Sequence, residues 1–362
     1  MRKMKILLYK IYIHVRYILQ YGKVENMALS TAKRLFDDFY PQEPPQFKQK
    51  VDYNPSYDLM IIVPVYNTAI FLDKCIQSLL GQKTKYSYKI VFVDDGSTDQ
   101  SGIILDSYNG KENVEIIHKQ NSGISGARNY ALKNICGRYI MFVDSDDLLA
   151  DNAIELLMDV AIEKDADIVE GAHKEFTNDE QIDLREHTES ELKTVEVSGY
   201  PWGKVISAEK MFNLCFPEGY LYEDTIIATL LLPSCKVVCS IPNTIYYYRK
   251  NMNSVTAMLD KRKEAIDTLY MTYYCFEESA KRGNELYLED FLKQVRLNWL
   301  RTQNMPEKIQ KAIFVVESEM INKYFSESKF YTKGALKEIE KVLRKKYYYA
   351  YKWLMTNFFS WS

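Results

Sequence analysis

Tyr139-Ile140-Met141-Phe142-Val143-Asp144-Ser145-Asp146-Asp147 is an apolar run that stops at three carboxylates within four positions. Such a run reads as a buried β-strand, and in open α/β sheets ligands bind outside the carboxyl ends of these strands. Carboxylates this close repel one another and call for a cation or for solvent. An all-oxygen donor set favours Mg²⁺ or Mn²⁺, commonly shared with a substrate phosphate.

Working outward, the same grammar recurs. Leu59–Val63 is an apolar strand closed by Pro64, and Lys89–Val93 is a second, ended by Asp94-Asp95-Gly96-Ser97. Val114–Ile117 and Ala166–Val169 are two more. Between them, apolar residues return at helical spacing: Phe71, Leu72, Cys75, Ile76, Leu79 and Leu80; then Ile124, Ala127, Ala131 and Ile135; then Ile154, Leu157, Met158, Ala161 and Ile162. Ser97 or Thr98 is expected to cap the helix that runs towards Tyr108. Strand–helix alternation implies an α/β fold with a mostly parallel sheet and right-handed crossovers.

With 362 residues, 47% apolar and 27% charged, the chain is long enough for a large core plus an appendage. A formal net charge of -2 provides no basic field to recruit nucleic acid, so none is expected as a partner. The six cysteines form no Cys-x-x-Cys pair, and Cys75 and Cys136 fall in apolar helical patterns, which argues against a zinc site or disulfides. No apolar stretch is long enough to span a bilayer, and Lys10, His14 and Arg16 interrupt the start, so no cleavable leader is expected.

Residues 1–35 read as an amphipathic helix that either lies on an anionic membrane or packs on the main domain. Pro41, Pro44, Pro45 and Pro55 mark a linker. Residues 177–197 are polar and acidic, and beyond Met258 the pattern is helical throughout. Near the end, Lys341–Trp353 interleaves cations with aromatic rings, a composition that favours peripheral contact with the cytoplasmic face of a membrane. The expected division is 1–57, a helix and linker; 58–256, a catalytic domain with halves at 58–150 and 151–256; and 257–362, a helical region.

Three loops should meet at one edge of the sheet: Pro64-Val65-Tyr66-Asn67, Asp94-Asp95-Gly96-Ser97 and Asp144-Ser145-Asp146-Asp147. A ring to stack on a base, a carboxylate to accept a ring N–H and a carboxylate pair for a metal diphosphate together fit a nucleoside diphosphate. Neither Gly-x-Gly-x-x-Gly nor the Gly-Lys-Ser/Thr phosphate loop is present.

The ordered blocks Pro64–Asn67, Val93–Asp99, Asn121–Asn129, Phe142–Asp147 and Glu223-Asp224 resemble the family 2 glycosyltransferases over roughly residues 58–256. That resemblance implies a GT-A fold and a metal-dependent hexosyltransferase that moves a sugar, with inversion, from a nucleotide donor such as a UDP-sugar. The acceptor would be a glycan or a lipid-linked glycan of the cell surface. By the same resemblance, Pro64, Tyr66, Asn67, Asp94, Asp95, Arg128, Asp144, Ser145 and Arg249 would bind the nucleotide. Asp144 and Asp146 would hold Mn²⁺ or Mg²⁺, Asp224 would be the catalytic base with Glu223 as runner-up, and Asp147, Trp202 and Lys204 would lie near the donor or acceptor sugar.

Residue by residue, Asp147 could instead cap the next helix, and Arg128 could be a surface arginine in a salt bridge. A phosphatase of the haloacid dehalogenase type also follows a strand with Asp-x-Asp, but there the strand comes first in the fold and here it comes fourth. A binding module without catalysis would keep the nucleotide loops and need not keep Glu223-Asp224.

Overall fold

The structure is a computed structural model, described here for residues 25–177, 181–185, 190–191, 197–250, 262–326 and 335–358. The first part of the expected N-terminal helix, most of the acidic run at 178–197 and Met258 lie outside the described residues. The chain forms two compact units. One comprises residues 44–254 with 274–285, and the other 1–43, 255–273 and 286–362. Relative to a division at 57 and 256, residues 44–57 and 274–285 lie with the first unit and residues 255–256 with the second.

The first unit is built on strands β1 (Asp52–Val65), β2 (Tyr88–Asp94), β3 (Val114–His118), β4 (Asn134–Phe142), β5 (Leu148–Leu149), β6 (Ile168–Phe176), β7 (Gln181–Arg185), β8 (Ser190–Glu191), β9 (Lys204–Ser207) and β10 (Val238–Arg249). Their order is β3-β2-β1-β4-β9-β6-β10-β5, with β7 beside β6 and β8 beside β10. β1 to β4 are mutually parallel, β9 runs antiparallel between β4 and β6, and β10 returns parallel to β6. The result is a GT-A sheet, parallel in its first half and mixed in its second.

Both faces of the parallel half are covered, which is why its strands are apolar without alternation. Along β1, Leu59, Ile61, Val63 and Val65 enter one core with Leu72, Cys75, Ile76 and Leu79 of helix Ala69–Leu80. Met60 and Ile62 point the other way, onto Ala127, Ala131 and Leu132 of helix Gly123–Leu132.

Local pattern misled in three places. Ile135 and Cys136 belong to β4, not to the preceding helix, because Asn134–Gly137 pairs with the early part of β1. Short apolar runs do not distinguish helix from strand by period alone. Ile124 is 42% exposed and faces away from the core. Ser97 and Thr98 cap no helix: the next one begins at Ser101, whose N–H donates to Asp99 Oδ1 (2.8 Å).

The second unit is helical, with Leu29–Phe39, the start of Asp267–Lys281, Leu288–Thr302, Glu307–Tyr324, Ala335–Arg344 and Tyr348–Phe358. The stretch Lys341–Trp353 packs within it. Tyr348 and Tyr351 are each 1% exposed and lie against Phe314, with Trp299 edge-on to Tyr351. Lys341 and Lys346 pair with Glu338 and Glu319. Tyr348 and Tyr351 are therefore interior packing, while Tyr349 between them is 41% exposed. Among the described residues no helix is long and apolar enough to cross a membrane.

Among the acids buried in this unit is Glu317. Glu317 accepts hydrogen bonds from Asn298 Nδ2 (3.0 Å) and Tyr351 Oη (3.0 Å), and burial pushes its carboxyl up to about 8. Because the folded value is raised, the folded chain keeps a proton that the unfolded chain releases near ~4.3. Stability is then fullest below that value and declines as pH rises through about 8. Glu317→Gln should flatten this decline, with an effect of up to a few kcal/mol at pH 8. Urea midpoints measured from pH 5 to 8 check it, and parallel profiles for the two proteins would refute it.

Candidate active site

β1, β2 and β4 end side by side, and hydrogen bonds knit their loops together. Pro64 is buried near the end of β1, opposite Val93, while Tyr66 just beyond is 49% exposed. Asn67 adopts a left-handed backbone (φ 53°), which asparagine tolerates better than most residues. Its Oδ1 accepts the N–H groups of Thr98 (2.8 Å) and Asp99 (3.3 Å), and its own N–H donates to Ser97 Oγ (3.1 Å). Thr68 Oγ1 donates to Ser145 Oγ (3.0 Å), tying the first loop to the acidic one. Asn67 and Ser145 thus act as loop fasteners.

Asp94 and Asp95 are buried at the end of β2. Asp94 Oδ1 accepts the Ser97 N–H (2.9 Å), and Oδ2 meets His118 Nδ1 (2.8 Å). Burial alone would raise this carboxyl, but the bonds from Ser97 and His118 outweigh it and lower it. His118 is raised, first by Asp94 and against its own burial, with Asp106 adding to the rise. Asp95 Oδ1 takes Lys119 Nζ (2.5 Å) and the Ser122 N–H (3.0 Å), while Oδ2 shares that amide at 3.2 Å. His118 and Lys119 were not singled out from the sequence. Their position at the end of β3, the strand next to β2, is the clue that could have found them.

The acidic loop holds three carboxylates in three environments. Asp144 Oδ1 accepts Arg128 Nη2 (2.9 Å), and Arg128 Nη1 donates to Glu223 Oε1 (2.8 Å). Arg128 is 2% exposed and lies over the Phe216 ring, so it is an interior bridge and not a surface arginine. Burial would lower its pKa, yet Asp144 and Glu223 outweigh that and raise it. Asp146 is pushed up to about 6 by burial and by Asp144. Asp147 is raised as well, by burial and by both neighbouring acids.

Asp147, expected near the sugar or as a helix cap, does neither. It is fully buried, accepting Tyr246 Oη (2.7 Å) and the Arg249 N–H (2.6 Å), and the next helix starts only at Ala153. It shapes the loop from beneath. Arg249 Nε donates to the Asp146 carbonyl (2.7 Å), and its guanidinium lies 4.6 Å from the Phe71 ring centre and 4.3 Å from that of Phe176. Burial first, and then repulsion from Asp144, raises both the Asp146 and Asp147 carboxylates, a crowding of negative charge that fits a hard divalent cation. Among the described residues no group of three or more His, Cys, Asp or Glu forms a closed metal cage. Asp144 and Asp146 could therefore serve a cation only together with ligand oxygens, the usual manner for Mg²⁺.

Glu223-Asp224 is presented by a strained turn, since Tyr222 has φ 61°, uncommon for a bulky side chain. The Asp224 carbonyl accepts the Ile227 N–H (2.8 Å) as the following helical stretch begins. Arg128 joins this turn to the acidic loop.

Lys204 leaves the expected sugar site. It is fully buried, with Nζ 2.8 Å from Glu170 Oε1 and 2.7 Å from the Ser198 carbonyl, because β9 and β6 pair Lys204 opposite Glu170. Trp202 is 6% exposed and bridges to Phe142, one residue before the acidic loop's approach. Its ring stacks on Tyr246 (4.6 Å), Tyr248 (5.3 Å) and Tyr200 (4.6 Å).

Residues 60–217 match the family model described as glycosyl transferase family 2. Glycosyltransferase GlyA of Streptococcus pneumoniae is 29% identical over 69% of this chain, which spans 42% of that protein. The poly(ribitol-phosphate) beta-glucosyltransferase of Bacillus spizizenii is 30% identical over 64% of this chain, which spans 34% of that protein. In structure the chain is similar to S. aureus TarS 1-349, solved in complex with UDP-GlcNAc, with TM-score 0.69, 18% identity and coverage of 83% of this chain and 91% of that one. Residues 60–217 thus form a region of the glycosyl transferase family 2 type, carried on a sheet with the fold seen in TarS.

Proposed function

We propose that the chain transfers a sugar from a UDP-sugar, with inversion, to a hydroxyl of a glycan or lipid-linked glycan in cell-surface polysaccharide synthesis. The observation that carries this reading is the Asp144–Arg128–Glu223 bridge, which ties the acidic loop to the turn bearing Asp224. TarS solved with UDP-GlcNAc supports the UDP-sugar donor, and the poly(ribitol-phosphate) beta-glucosyltransferase supports a place in cell-surface polymer synthesis.

In this reading the exposed Tyr66 ring covers the base beside Asp94 and Asp95. Asp95 Oδ2, which holds only the longer of its two bonds to the Ser122 amide, accepts the uracil N–H. Asp144 and Asp146 would hold Mn²⁺ or Mg²⁺, which would supply Lewis-acid neutralisation of the charge on a departing diphosphate. Arg249, aimed at the Asp146 backbone, stands at the same end. Arg128 engages the Glu223 carboxylate, and Asp224 takes the proton from the attacking hydroxyl in a single displacement.

Turnover of UDP-GlcNAc and UDP-glucose, with Mn²⁺ and with EDTA, tests this reading. Asp146→Ala should lower turnover by roughly 10²-fold or more. Undiminished rates in EDTA would remove the cation from the mechanism, and absence of UDP binding would remove the donor.

A further inference from the structure

An aromatic column rises from beneath the acidic loop to the surface. At its base Tyr246 donates to Asp147 and accepts the Asp144 N–H (3.1 Å). Trp202 stacks on Tyr246, and Tyr200 stacks on Trp202 at 4.6 Å with an interplanar angle of 4°. His173 meets both Tyr200 and Trp202 edge-on, at 86° and 85°. Only the last ring emerges: Trp202 and Tyr246 are buried, while Tyr200 is 45% exposed.

The turn that presents Tyr200 is fastened at both ends by one carboxylate. Glu170 accepts the Ser198 N–H (3.2 Å) before the turn and pairs with Lys204 (2.8 Å) after it. Between them, Gly203 takes a left-handed backbone (φ 77°). On its other side the turn abuts the catalytic segment, since a Cβ on Gly199 would lie 3.5 Å from Ala228 in the helical stretch that follows Asp224. Tyr200 is thus a rigid, outward-facing ring between the acidic loop and the Asp224 helix.

We propose that Tyr200 is the stacking face for a pyranose ring of the acceptor. The inference rests on the transferase reading above and adds the acceptor's chemistry to it. A saccharide ring offers an apolar C–H face, and a preordered aromatic ring with a polar tip binds such a face at little entropic cost. The location meets the geometric demand of the reaction, because the attacking hydroxyl must sit between Asp224 and the donor held by the acidic loop. An acceptor of open-chain polyol phosphate would have no ring to offer Tyr200. The Glu170–Lys204 pair, buried away from solvent, acts as a positioning device for this turn.

Saturation-transfer NMR on the full chain, with UDP and Mn²⁺ present and cellobiose and chitobiose as probes, tests the proposal. Wild type and Tyr200→Phe should both transfer saturation to the sugar C–H face. Tyr200→Ala should weaken saccharide binding about tenfold or more while its UDP affinity stays within twofold of wild type. Equal saccharide binding by Tyr200→Ala overturns the subsite. So does UDP-bound wild type that engages neither disaccharide. Failure of wild type to bind UDP is a different result, which overturns the transferase reading and this subsite with it.

Discussion

Asp224→Asn is expected to lower sugar transfer by about 10²–10⁴-fold while leaving UDP affinity intact. The change removes one proton acceptor and preserves shape, so it separates chemistry from binding. Two features make the loss hard to rescue. The neighbouring carboxylate, Glu223, is already engaged by Arg128 at 2.8 Å. The left-handed Tyr222 sets the turn, a conformation costing of order 1–3 kcal/mol that persists only where the surroundings hold it. Calorimetric titration with UDP and steady-state rates with a UDP-sugar check both halves. A rate within tenfold of wild type would move the base elsewhere.

Arg128→Met is expected to cost about 3 kcal/mol of stability and to weaken donor binding. The guanidinium is buried and spends its two Nη groups on two different carboxylates. Removing one partner of a buried pair leaves charge without compensation, typically at ~3–5 kcal/mol. Asp144 and Glu223 retain some solvent, which places the expected effect at the lower end. Arg128→Lys should not restore function, because a single ammonium on a shorter stem does not span both acceptors. Thermal unfolding and UDP affinity are the measurements. A lysine variant equal to wild type in both would show that the bridge is dispensable.

Much of the fold was legible locally. Leu59–Val63, Lys89–Val93 and Tyr139–Phe142 are apolar because helices cover both faces of the sheet, and their acidic ends mark where that cover stops. The same rule located Asp94, Asp95, Asp144 and Asp146 at one edge. It missed His118 and Lys119, which share that edge but end a strand without a cluster to advertise them.

The amino-acid order by itself determined the parallel half of the sheet, the edge at which its loops meet and the chemical type of the residues there. Backbone period and strand-end polarity are short-range properties, and a short window carries them. Only the tertiary structure decided which charged groups face a ligand and which face each other. Asp147 and Lys204 look as available as Asp146 in the sequence, yet each is fully buried against a partner. Arg128 joins Asp144 to Glu223 across 95 positions of chain. Tyr348 and Tyr351, suited by composition to a lipid surface, are core because Phe314 and Trp299 come to lie against them. The physical reason is common to all four: burial and pairing depend on what the folded chain brings alongside, and that information lies far away in sequence.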